Sequence, residues 1–316
     1  MNRALLVGID HYKTSPLNGC INDARSMSEA LCRNDDESLN FSCMLMTSDK
    51  DKISRHALLS KIDKLFSAEA DLALLYFSGH GYDDKLGGLL VTQEAQQHAD
   101  GVHLDDVLTI ANRADRIKQI FIILDCCHSG HMGNPPMSNG YSAYLRKNIS
   151  ILTSSQGDEL SMEVNGHGLF TSSILNGLTG GAADVLGRVT AASLYSYVDS
   201  MLGPWEQRPV FKSHVNKMIS IRKCKPMVSF ALMRKITSFF PVKDHYFPLD
   251  PSYEPTADPK NPENEGIFAK LQKYVQAGLV RPVGEEHMYF AAMNSKGCEL
   301  TPQGRMYWEM VKRDRL

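Results

Sequence analysis

The feature that most constrains this chain is a set of short runs in which nearly every residue is apolar: Ala4 to Ile9, Asp71 to Phe77, Ile120 to Leu124 and Ile149 to Thr153. A strand that is apolar at every position, rather than at alternate ones, is covered on both faces, as in a parallel sheet between helical layers. Stretches of helical spacing fall between the runs: one from Asn22 or Asp23, either available as its cap, through Leu31; one through Ile53, Leu58, Ile62, Leu65 and Phe66; and one from Leu104 to Ala114. Strands alternating with helices predict a mostly parallel sheet with right-handed crossovers. Phe41 to Met46 adds a strand and Tyr82 to Thr92 reads as a small hairpin. Helices over about Gly168 to Leu178 and Ala191 to Leu202 precede a last strand at Arg208 to Phe211, which Pro209 places near a sheet edge.

Two of the apolar runs stop abruptly and deliver reactive side chains. The run ending at Phe77 is followed by Ser78-Gly79-His80-Gly81, and the run ending at Leu124 by Asp125-Cys126-Cys127-His128-Ser129-Gly130. In open α/β sheets ligands bind beyond the carboxyl ends of the strands, so two strands ending in a His and a Cys point to one site. Thiol attack needs a thiolate, a group that takes or holds its proton, and donors for the oxyanion. Cys127 and His80 supply the first two if their strands are neighbours. The backbone amides of Gly81 and Cys127, at strand ends with no further ladder, supply an oxyanion hole. Cys126 reads as a small apolar packing residue and is the runner-up nucleophile only by adjacency. His128 is the alternative base, set aside because neighbouring side chains diverge at a strand end. His103 and His167 read as surface or packing residues.

Composition narrows the classes. The chain has 316 residues, is 43% hydrophobic and carries a formal net charge of -2, which argues against a nucleic-acid-coating or polybasic membrane protein. Its seven cysteines form no CxxC, which fits a reducing, intracellular setting. With no signal-like start and no run of about 18 apolar residues, the expectation is a cytoplasmic protein without membrane association. The segment from His131 to Asn148, rich in Gly, Pro, Ser and Asn, predicts an exposed loop.

The motifs Ser78-Gly79-His80-Gly81 and Asp125-Cys126-Cys127-His128-Ser129-Gly130, with Leu17-Asn18-Gly19-Cys20-Ile21-Asn22-Asp23-Ala24 upstream, resemble those of the caspase-like cysteine peptidases and, among them, the metacaspases, over about residues 1–215. His80 lies 47 positions upstream of Cys127, which matches the caspase pattern of a His about 50 residues upstream of the Cys. The resemblance implies a caspase-hemoglobinase fold, in which a mostly parallel sheet is flanked by helices, and peptide-bond hydrolysis by a Cys127–His80 dyad with no cofactor needed for the chemistry. It also implies that Asp23 and Asp125 line the pocket for the residue before the scissile bond. Two carboxylates in a cleft favour a cation, so protein substrates are expected to be cut after Arg or Lys. The blander alternatives are that Asp23 only caps a helix and that Asp125 only caps the turn after its strand.

Many metacaspases are activated by calcium, for which Asp158, Glu159 and Glu163 are the candidates by position, although they form no dense acidic cluster. Arg146-Lys147 is a candidate self-cleavage point, against the plain reading of solvated charges. The peptidase domain is expected over 1–224, followed by a winged-helix-like domain over 225–316 with a proline-rich internal linker at about 241–264. There a helix over Phe230 to Phe240, a helix over Gly266 to Leu279, a strand-like Met288 to Ala292, and a last helix capped by Thr301 with Pro302 at its first position are expected. Over 265–316 eight cations face six anions, thin for DNA, so a regulatory protein partner is favoured over nucleic acid. Winged-helix appendages on short caspase-like chains resemble effectors of prokaryotic conflict systems, which suggests an antiphage or cell-death protease. The alternative is a catalytically silent caspase-like scaffold carrying a DNA- or protein-binding regulator.

Overall fold

The computed structural model describes residues 1–84, 87–95, 100–126, 145–154, 163–164, 167–201 and 208–316. The chain divides into two compact units, one of residues 1–184 and 188–224 and the other of residues 185–187 and 225–316.

In the first unit the elements run β1 (Asn2–Gly8), α1 (Cys20–Cys32), β2 (Phe41–Thr47), α2 (Arg55–Ser67), β3 (Ala70–Ser78), β4 (Gly81–Asp84), β5 (Gly87–Val91), β6 (Gly101–His103), α3 (Leu104–Arg113), β7 (Ile117–Asp125), β8 (Ile149–Thr153), β9 (Glu163–Val164), β10 (His167–Gly168), α4 (Leu169–Asn176), β11 (Arg188–Val189), α5 (Ala191–Met201), β12 (Val210–His214) and β13 (Arg222–Lys223). Six strands form the main sheet in the order β12-β8-β7-β3-β1-β2, all parallel except the edge strand β12. The expected parallel sheet with a proline-marked edge strand is what forms, and Tyr82 to Thr92 contributes the β4–β5 hairpin, extended by β6.

Both faces of the sheet are covered, which explains why the central strands are apolar throughout. Leu5, Val7, Ala73, Leu75, Phe77, Ile120, Ile122 and Leu124 pack against α2 and α3. Their alternates Ala4, Leu6, Leu72, Leu74, Tyr76, Phe121 and Ile123 pack against α1, α4 and α5. The strand order reverses between β1 and β3: β2 lies to one side of this pair, and β7, β8 and β12 to the other. A crevice therefore opens beyond the carboxyl ends of β1 and β3, where the connections part.

The helix after β1 approaches the sheet at Gly8, where a Cβ would stand 2.2 Å from the Cys20 carbonyl oxygen. The helix begins at Cys20, and neither Asn22 nor Asp23 caps it. The Asp10 carboxylate instead accepts from the amides of Cys20 (2.8 Å) and Ile21 (3.2 Å), and Asp23 sits inside the first turn.

The second unit contains α6 (Phe230–Met233), α7 (Ile236–Phe239), β14 (Phe247–Pro248), α8 (Pro262–Gln276), β15 (Val280–Val283), α9 (Met288–Met293), β16 (Gly297–Leu300) and α10 (Pro302–Lys312). Its core gathers Phe240, Phe268, Leu271, Tyr274, Leu300 and Trp308, with the Trp308 indole donating to the Phe240 carbonyl at 2.6 Å. Three expectations change here. The predicted helix from Phe230 to Phe240 is two short helices separated by a turn. The stretch from 241 to 264 contributes the sheet strand β14, a 3-10 turn at Pro251–Tyr253 and the buried Leu249, so this stretch is part of the packed unit. Met288–Met293 is a helix burying Met288, Ala291 and Ala292, which is i, i+3, i+4 spacing. The last helix starts as expected, with the Thr301 hydroxyl accepting from the Gly304 amide and Pro302 in its first turn. The strands β15 and β16 pair antiparallel with α9 between them, and β14 adds a third strand, which leaves the winged-helix reading unconfirmed. Among the described residues no helix is long and apolar enough to cross a membrane.

Because the Cys20 carbonyl belongs to a helix that the Asp10 carboxylate holds in place, it has nowhere to move. Gly8→Ala is expected to destabilise the first unit by about 3 kcal/mol, read as a lower urea midpoint.

Candidate active site

The strands β3 and β7 are neighbours, with Ser78 opposite Asp125, so their ends open into one crevice. The ends are laced together: the Gly79 amide donates to the Asp125 carbonyl (3.3 Å) and the Ile9 amide to the Ser78 carbonyl (3.0 Å). His80 stands two residues beyond Ser78, and Cys127 two residues beyond Asp125 in the sequence. Cys127, His128, Asp158 and Glu159 lie outside the described residues.

His80 is held from the loop between β1 and α1. Its Nε2 lies 2.6 Å from the Ser15 carbonyl oxygen, and its ring packs on Tyr12 with centroids 4.6 Å apart. The Tyr12 hydroxyl accepts from the His80 amide at 2.9 Å and donates to the Val91 carbonyl at 3.3 Å. A carbonyl oxygen only accepts, so Nε2 carries the ring proton and Nδ1 is the basic nitrogen. Burial pushes the Tyr12 phenol well above its ordinary range, so it stays a neutral hydrogen-bonding group.

Gly81 does not end its ladder, contrary to the expectation from sequence. The chain continues into β4, where Gly81 faces Leu90 of β5. The Val91 amide donates to the His80 carbonyl at 3.0 Å. By antiparallel alternation Gly81 then falls at a non-hydrogen-bonded position, and its amide turns away from β5.

The structure brings Asp23 and Asp125 together, both almost fully buried at 2% and 7% exposure. Both sit on the α1/α4 face of the sheet. Asp125 Oδ2 and Asp23 Oδ2 converge beside Gly168, lying 3.0 and 3.6 Å from the point where its Cβ would stand. The Ser78 hydroxyl donates to Asp23 at 3.2 Å, and the Thr171 hydroxyl to Asp125 at 2.7 Å. Asp23 lies inside the first turn of α1, with Gly19 at the N-cap position. Burial pushes the Asp125 carboxyl from its ordinary 3.8 up to about 7; the Thr171 hydrogen bond opposes this and the Asp23 charge adds to it. Cys20 lies buried beside them, and burial pushes its thiol far above the ordinary range, so it is a packing residue here.

Cys126 belongs to the hydrophobic cluster on the α2/α3 face, at 4% exposure, which agrees with its reading as a packing residue. His103 is the half-buried residue preceding α3. Arg146 and Lys147 are exposed, with Arg146 bonded to the Asn112 side chain and carbonyl. Among the described residues no group of three or more His, Cys, Asp or Glu side chains is placed to hold a metal ion. Sequence reasoning missed Tyr12, Ser15, Gly168 and Thr171. Local pattern carries no signal for Ser15, which acts through its backbone, or for Thr171, which lies 46 residues from the acid it touches.

A mostly parallel sheet of this order, with His80 and Asp125 at the carboxyl ends of neighbouring strands and Asp23 facing Asp125 from α1, defines a caspase-like α/β protein. The caspase domain model matches residues 1–220, and the chain belongs to that family of cysteine peptidases. A crystal structure of a Geobacter sulfurreducens protein is similar to it at 17% identity, over 71% of this chain and 97% of that one, with a TM-score of 0.51. Caspase-1 from Spodoptera frugiperda is similar at 14% identity, over 71% of this chain and 90% of its own, with a TM-score of 0.49. No curated protein matches the sequence at a significant level.

The raised Asp125 carboxyl has a consequence for stability. Its folded pKa of about 7 lies above the ordinary carboxyl value, so its contribution is fully present below about pH 4 and is lost as pH rises through about 7. Asp125→Asn keeps an acceptor for Thr171 and removes the charge. The variant should melt higher than the wild type at pH 8, with the difference closing towards pH 5; a difference independent of pH would refute this account.

Proposed function

We propose that this protein is a cysteine endopeptidase of the metacaspase type, cutting protein substrates after Arg or Lys with Cys127 as nucleophile and His80 as its acid–base partner. The observation that carries the specificity is the convergence of Asp23 and Asp125 beside Gly168, where Asp125 ends β7, the strand that leads to Cys127. A cation is the group that two buried carboxylates most need, and the guanidinium or ammonium of a peptide supplies it.

In this reading His80 Nδ1 takes the Cys127 thiol proton while Nε2 donates to the Ser15 carbonyl, which fixes the tautomer and steadies the imidazolium. The thiolate attacks the scissile carbonyl, and the amides of Gly81 and Cys127 receive the oxyanion. His80 then returns the proton to the leaving amine, and water, deprotonated by the same nitrogen, hydrolyses the thioester. The chemistry routes no step through a metal.

Fluorogenic peptides ending in Arg, Lys or Asp test both halves of the proposal. Arg and Lys peptides should turn over, Asp peptides should not, and Cys127→Ala or His80→Ala should lower kcat/KM by at least about a thousandfold, with the fold intact in Cys127→Ala. Asp turnover, or activity retained in Cys127→Ala, would overturn it. KM for the Arg peptide should rise as pH falls below about 7, where the Asp125 carboxyl takes up a proton. Tyr12→Phe strips the hydroxyl from the His80 amide and leaves the ring contact; kcat should fall about tenfold with KM nearly unchanged.

A further inference from the structure

The start of α4 presents a glycine that its backbone does not require. Gly168 has φ -60° and ψ 139°, a conformation open to any L-residue. It also occupies the N-cap position of α4 with no side-chain cap hydrogen bond. Ser, Thr, Asn or Asp would cap the helix better. What a side chain there would cost is space: its Cβ would meet Asp125 Oδ2 at 3.0 Å and Asp23 Oδ2 at 3.6 Å.

One turn on, Thr171 is fully buried and donates to Asp125 Oδ2 at 2.7 Å. Behind it Tyr76, also fully buried, has its hydroxyl 2.6 Å from Thr171 Oγ1. An ionised carboxylate only accepts, so Thr171 spends its one proton on Asp125 and takes the Tyr76 proton on a lone pair. With Asp125 ionised, the result is a one-way chain, Tyr76 to Thr171 to Asp125.

We propose that the first turn of α4 forms the third wall of the acidic pocket: Gly168 is a specificity-determining residue that leaves the space where the substrate's cationic group meets Asp23 and Asp125, and Thr171, backed by Tyr76, is the positioning residue that aims Asp125 into that space. The inference rests on reading the acid pair as the Arg/Lys subsite and extends it to residues on a different element.

The test measures binding of Nα-acetyl-arginine amide to the full-length protein by calorimetry, alongside kinetics on the Arg peptide. Wild type should bind. Gly168→Ala should weaken binding at least about tenfold, and so should Gly168→Ser, which places the same Cβ while offering the helix a cap and so guards against a folding artefact. Thr171→Val should weaken binding similarly, and Thr171→Ser, which keeps the hydroxyl, should stay within about twofold of wild type. In kinetics the losses should fall on KM rather than kcat, the pattern of an interaction held equally in ground and transition states. Wild-type affinity in both Gly168 variants overturns the role of the space, and wild-type affinity in Thr171→Val overturns the positioning role. Failure of the wild type to bind the amide overturns the whole proposal. Binding without hydrolysis of any basic peptide would refute the proposed peptidase activity while upholding the pocket.

Discussion

Much of this site follows from burying two carboxylates side by side. In a poorly solvated crevice each charge is costly and each raises the cost of the other, as the upward displacement of the Asp125 carboxyl registers. The fold answers with donors from different elements: Ser78 at the end of β3 for Asp23, and Thr171 in α4 for Asp125. Asp23 further lies in the first turn of α1, where the helix dipole favours a negative charge. The acids are thus tolerated only because β3, β7, α1 and α4 meet at one point.

The end of β1 governs both halves of the crevice. Asp10 anchors the start of α1, and with it the position of Asp23, while Gly8 lets that helix approach the sheet. The intervening loop lends the Tyr12 ring and hydroxyl and the Ser15 carbonyl to His80. One connection therefore positions Asp23 on one side of the sheet and the His80 imidazole on the other.

Legibility in the sequence tracked the range of the interaction. The buried strands announced themselves because a residue covered on either face must be apolar whichever way it points. The start of α10 was readable because Thr301 and Pro302 act within one turn. Met288–Met293 was misjudged because aromatic-rich composition suggested a strand, while its spacing of buried residues is helical. The cap of α1 was misplaced because the acceptor, Asp10, stands ten residues before the helix and reaches it only when the loop folds back.

By itself the sequence determined the alternating layers of strand and helix and the delivery of His80 and Asp125 at strand ends, since periodicity and turn chemistry are local. Tertiary structure decided which strands are neighbours, that Asp23 and Asp125 face one another, and which hydroxyls and carbonyls hold them and His80. Those choices depend on pairing and packing between segments tens of residues apart, where no local pattern records the partner.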